Sequence, residues 1–159
     1  QFLQVLMGKP ESGTLKDSHS KTLTEGIAEG RLMGGNLTLL TRSIGTPYEI
    51  ETRGSILLVE DVNEPAYRID GMMWQMEQAG KLKGLKGAIL GEMIDCKFPR
   101  GQRDSINDVL MDFLVDLNIP VVANWSVGHG KEIWTTPMGR KVKLDAGKGT
   151  LEWNTTGVV

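Results

Sequence analysis

With one cysteine, two histidines and no basic block, the sequence is short of the residues on which several classes of function depend. Cys96 has no partner for an internal disulfide, which fits a reducing compartment. His19 and His129 stand far apart, and neither a His-x-x-x-His nor a Cys-x-x-Cys spacing occurs, so the common metal-ligand patterns are missing. Net charge is −2, and no cluster of Lys or Arg offers a footprint for nucleic acid or an anionic membrane. No apolar run reaches the roughly 20 residues of a membrane-spanning helix, and no signal-peptide pattern opens the chain. The G-x-S-x-G nucleophile elbow is absent, as are the Walker and Rossmann glycine spacings. Gly147-Lys148-Gly149-Thr150 fails as a Walker loop because Ser or Thr must follow the lysine directly.

What remains is an ordinary globular composition, 40% hydrophobic and 24% charged over 159 residues. A chain of this length buries roughly 68–70% of its unfolded surface, enough for one domain, or for a domain and a tail. It opens at Gln1, so a processed product or a piece of a longer protein is expected.

The most informative stretch is Leu57-Leu58-Val59-Glu60-Asp61, in which a buried strand runs into two acids. Desolvating a carboxylate is costly, so one placed there is expected to have a task. Ser55–Val59 reads as the strand, and a helix follows: Asn63 as N-cap, Glu64 and Pro65 in the first turn, an apolar face of Ile69, Met72, Met73 and Met76, and Gly80 at the end. Gly87–Leu90 is a second strand, closed by Gly91-Glu92. Ser105 caps a second helix whose Ile106, Val109, Leu110, Phe113, Leu114 and Leu117 keep strict helical spacing. Pro120–Ala123 is a third strand, which leads into Asn124-Trp125-Ser126-Val127-Gly128-His129-Gly130.

The middle of the chain therefore reads β-α-β-α-β, an α/β fold with parallel strands and right-handed crossovers. Ligands gather outside the carboxyl ends of such strands, where Glu60, Glu92 and His129 all fall. Additional antiparallel strands are expected beyond the core: a short extended run at Ile133–Thr136, then Val142 and Leu144 paired with Leu151 and Trp153 around a hairpin loop at 146–149. Residues 1–20 read as a connector, with a short strand at Phe2–Leu6 and a solvated His19; residues 21–159 form the domain. Within it, 21–35 read as extended chain with bends, and Gly34-Gly35-Asn36 as a tight turn before a short helix capped by Asn36. Free N–H groups at that helix start would also suit an anion.

His129 between Gly128 and Gly130 can be exposed and aimed. Glu60 could accept a hydrogen bond from one ring nitrogen and fix the tautomer, the part an acid plays in a Ser-His-acid triad. Spacing alone leaves this open beside a structural histidine and an ion-paired glutamate. No nucleophile suggests itself: Ser55 lies at the far end of its strand from Glu60, nothing positions Ser126, and Cys96 has no evident base.

Four blocks then resemble a known family. Gly30–Leu37, Leu57–Asp61, Tyr67–Asp70 and Gly128-His129 followed by Pro137-Met138-Gly139 match, in order and rough spacing over residues 21–145, the serine LD-carboxypeptidases, a family that includes the microcin C immunity peptidases. The resemblance is to the swivelling C-terminal domain only. It implies a Ser-His-Glu triad in which Glu60 and His129 are catalytic and the serine comes from an N-terminal domain with no counterpart here. It also implies hydrolysis of the amide to a terminal D-amino acid, as in a murein tetrapeptide during cell-wall recycling. A cytoplasmic homodimer with no metal or organic cofactor is expected, and the chain alone should be inactive. Two alternatives stay open: a microcin-immunity-like peptidase acting on an aminoacyl nucleotide conjugate, or a non-catalytic module that binds a ligand or carries phosphate on His129.

Overall fold

The computed structural model describes residues 13–99 and 105–154. They form one mixed sheet of eight strands: β1 (Gly13–Lys16), β2 (Lys21–Thr24), β3 (Ile27–Asn36), β4 (Ser55–Val62), β5 (Gly87–Ile94), β6 (Val121–Ala123), β7 (Lys141–Asp145) and β8 (Thr150–Trp153). Three helices, α1 (Leu37–Ser43), α2 (Ala66–Gln78) and α3 (Ile106–Leu114), connect β3 to β4, β4 to β5 and β5 to β6. The spatial order is β1-β8-β7-β3-β4-β5-β6-β2. The central pairs β3–β4, β4–β5 and β5–β6 are parallel, and the outer strands pair antiparallel. The parallel core thus holds one more β-α unit than the periodicity predicts, because glycine-rich β3 does not announce itself as a strand. None of the described helices is long and apolar enough to cross a membrane.

Alternation along β4 divides the interior in two. Leu57 and Val59 point to the helical side, where they pack with Ile69, Met73 and Met76 of α2 and Val109, Leu110 and Leu114 of α3. Ile56 and Leu58 point to the other side, into a second cluster with Leu32, Trp125, Leu144 and Leu151. The same count puts Glu60 on the Ile56–Leu58 side and Asp61 on the helical side. Two consecutive acids are thereby committed to different neighbours.

Several local expectations are corrected. Residues 34 and 35 are not a turn but the end of β3, paired in parallel with Leu58 and Val59. Gly34 has φ 141°, and a Cβ there would collide with the Leu58 carbonyl, so the strand needs glycine to pass this close. Asn63 does not cap α2: it turns the chain at φ 64°, and Pro65 occupies the cap without a side-chain bond. The helix closes as expected at Gly80, with Gly80 N–H donating to the Glu77 carbonyl and Lys81 N–H to that of Met76. Ser105 does cap α3, its hydroxyl accepting from Asn107 N–H. Ile133–Thr136 forms no strand, having no free sheet edge to join. Gly13–Lys16, within the stretch read as connector, is strand β1, since Leu15 is needed to complete the second cluster. The strand expected at Phe2–Leu6 lies outside the described residues.

Gly34→Ala combines a left-handed backbone with a backbone collision, so it is expected to cost about 2–4 kcal/mol. A urea midpoint equal to that of the unsubstituted protein would contradict this account of β3.

Candidate active site

Glu60 lies inside β4, two residues before its end, and is 6% exposed. His129 belongs to the irregular segment that follows β6. The segment is tied down at several points: Trp125 N–H donates to the Leu90 carbonyl, Glu92 N–H to that of Val127, and Trp134 N–H to that of Ser126. Trp125 itself is fully buried in the second core cluster, and Trp134 packs against that cluster, so both tryptophans support the loop from below rather than wall a pocket. These bonds hold the segment across the carboxyl ends of β4 and β5. There His129 Nδ1 lies 2.8 Å from Glu60 Oε2. The imidazole is half exposed while the carboxylate is nearly buried. A carboxylate at that distance accepts, which places the ring proton on Nδ1 and leaves Nε2 as the basic nitrogen.

The glycines on either side of His129 have a steric purpose. A Cβ on Gly128 would lie 2.8 Å from Glu60 Oε2, and Gly128 adopts φ 131°. A Cβ on Gly130 would collide with the Glu92 carboxylate. Each glycine makes room for one acid, and the turn can settle between them. Glu92 is brought into position by a bulge: β4 and β5 pair Val59 with Leu90 and then Asp61 with Met93, so Gly91 and Glu92 together face Glu60.

Asp61 performs a separate, structural task. Its carboxylate accepts from Asn36 Nδ2 at 3.1 Å and from Thr38 N–H and Oγ1, both at 2.9 Å. Asn36 in turn caps α1 by accepting from Leu39 N–H. The free N–H groups expected at this helix start are therefore taken by a carboxylate of the chain itself.

Sequence reasoning undervalued the N-terminal stretch. Asp17 is buried, and accepts from Ser126 N–H at 2.6 Å and from His19 N–H at 2.8 Å. It anchors the segment that carries His129. A cavity of about 690 Å³ opens beside the imidazole, lined among others by His19, Glu92, Asn124, Ser126 and His129. An aspartate and a histidine within a polar run carry no periodic signal, so only the long-range pairing of β1 with β8 and β2 with β6 reveals their place.

The remaining candidates fall elsewhere. Ser55 is buried at the opposite end of β4, bonded to the Thr52 carbonyl. Tyr67 is exposed on α2, and Arg68 pairs with Glu64 at 3.2 Å. Burial pushes the Cys96 thiol above its ordinary range, reinforced by the Asp61 and Glu64 carboxylates and opposed by backbone N–H groups of Glu64 and Asn63. Such a thiol is a poor nucleophile. No group of three His, Cys, Asp or Glu side chains suited to a metal ion occurs among the described residues.

Two measurements follow from this geometry. Iodoacetamide at pH 8 should alkylate Cys96 more slowly than it does in the urea-unfolded chain, and equal rates would show that the thiol is neither buried nor raised. Gly128→Ala should push Glu60 off the imidazole, erasing the low-field Nδ1–H proton resonance that the unsubstituted protein is expected to show. A resonance unchanged by the substitution would refute the steric argument.

The comparisons with known proteins agree with this architecture. The LD-carboxypeptidase C-terminal domain family matches over residues 29–144. A putative carboxypeptidase of Synechocystis is 38% identical over 152 residues, covering 95% of this chain and 50% of the relative. A probable murein peptide carboxypeptidase of Bacillus subtilis is 36% identical over 129 residues, covering 80% and 40%. The chain thus spans half or less of the length of these relatives. Among solved structures, the microcin C7 self-immunity protein, in an inactive-mutant apo state, superposes with a TM-score of 0.86 at 21% identity, covering 99% of this chain and 54% of that one, a likeness of fold alone. The match over most of the chain, and the sheet that carries it, show that this protein belongs to the LD-carboxypeptidase family, as a C-terminal domain of that family.

Proposed function

We propose that this domain supplies the base and the acid of a Ser-His-Glu triad in a serine carboxypeptidase. The observation that carries the reading is the 2.8 Å bond from His129 Nδ1 to Glu60 Oε2 at the mouth of a cavity. Glu60 holds the imidazole in one tautomer and stabilises the imidazolium once it forms. His129 Nε2 takes the proton of an attacking hydroxyl and later returns it to the departing amine. The hydroxyl belongs to a serine outside this chain, on an N-terminal domain that also provides the amides of an oxyanion hole. The isolated chain is accordingly inactive.

The substrate in this reading is a murein tetrapeptide that loses its terminal D-alanine, and the name of the Bacillus subtilis relative supports murein as the source. The family resemblance extends the proposal to a homodimer acting in the cytoplasm, with no cofactor in the reaction. Catalysis then depends on closing the serine-bearing domain over this sheet edge, since proximity supplies much of the acceleration in such a reaction.

The test is release of D-alanine from a tetrapeptide by the complete protein that carries this chain. Glu60→Ala and His129→Ala are each expected to lower kcat by roughly four or more orders of magnitude, with KM little changed. A rate within tenfold of the unsubstituted enzyme for either variant would remove that residue from the triad.

A further inference from the structure

Glu92 is the acid beside His129 that the triad chemistry leaves idle. Its neighbours in this corner are all engaged: Glu60 by His129, Asp17 by Ser126 and His19 N–H, and Asp61 by Asn36 and Thr38. The Glu92 carboxylate makes no hydrogen bond or ion pair with any described residue. Its Oε2 is sealed from solvent, and the carboxylate lies against Gly130. A carboxylate oxygen removed from water without a donor costs free energy that folding must offset. The β5 bulge and Gly130 both serve to accommodate this side chain, so the position is built rather than incidental. The carboxylate lines the cavity shared with His129.

An acceptor-only group left open at a cavity wall is complementary to a cation or a strong N–H donor. No third ligating side chain is at hand for a metal ion among the described residues. An ammonium group needs no such set, since one of its three N–H bonds can meet a single carboxylate. Glu132 adds a second negative charge to the lining, while Lys131, also in the lining, is exposed and forms no ion pair with Glu92.

We propose that Glu92 is a specificity-determining residue that receives a primary ammonium group carried by the substrate next to the amide served by His129. The inference rests on the peptidase reading of the site and narrows it to peptides with a basic side chain before the terminal residue.

Binding tests it apart from turnover. The complete protein carrying His129→Ala is titrated by calorimetry with two peptides ending in D-alanine, one with L-lysine before it and one with Nε-acetyl-L-lysine. The lysine peptide is expected to bind about tenfold tighter, the ordinary worth of a hydrogen bond to a charged group. Adding Glu92→Gln should abolish the difference and leave the acetylated peptide unaffected, whereas Glu92→Asp should keep part of it. Equal affinities for the two peptides, no binding of either, or an equal loss for both in Glu92→Gln would overturn the assignment. Hydrolysis by the unsubstituted enzyme is scored separately. Cleavage without discrimination keeps the peptidase reading and ends the role of Glu92, and discrimination without cleavage does the reverse.

Discussion

The hydrogen bond between Glu60 and His129 joins the middle of a parallel sheet to a loop 69 residues further along the chain. Much of the surrounding structure can be read as what that bond requires. The carboxylate must be nearly buried to hold one orientation, which is why it sits inside β4 rather than past its end. The imidazole must remain half exposed to reach anything else, which calls for a loop laid over the strand ends. Gly128 then has to let the backbone approach the acid. Buried and exposed partners meet across 2.8 Å because the loop is fastened on both sides, by Leu90 and Val127 to β5 and by Asp17 to the N-terminal segment.

The alternation of β4 explains how two adjacent acids avoid competing for the same partner. A one-residue step turns the side chain to the opposite face of a strand. Glu60 faces the side of the sheet crossed by the His129 loop. Asp61 faces the helices and fastens the start of α1. A shift of register by one residue would exchange the two environments and abolish both arrangements, so the hydrophobic pattern that fixes the strand also fixes the chemistry. The bulge in β5 adds Glu92 to the same corner, and two acids come to flank one histidine.

Membership of the LD-carboxypeptidase family gives this geometry a context. The chain covers half or less of the relatives considered, so the site can be half of one that closes between domains. An acid and a base held in place without a nucleophile fit such a division. Positions tolerant of motion, such as the glycines around His129, lie on the side where another domain would arrive.

The three central strands, the two long amphipathic helices and the closing hairpin were legible in the sequence because each is a local repeat, of period two in strands and 3.6 in helices. Glu60 and His129 were singled out by an acid following an apolar run and by a histidine between glycines. Their meeting was not legible, since a distance between residues 69 positions apart depends on sheet order and register, which no local pattern records. The same limit concealed β3, whose glycines are chosen for close approach to Leu58 rather than for strand propensity, and Asp17, whose partner lies 109 residues away. Asn63 shows the limit from the other side: a good cap by type, it was needed for a left-handed turn instead. Local chemistry determined which elements form and which side chains stand ready; only the packing of distant segments decided which of those side chains face one another, because that depends on burying two apolar faces of one sheet at once.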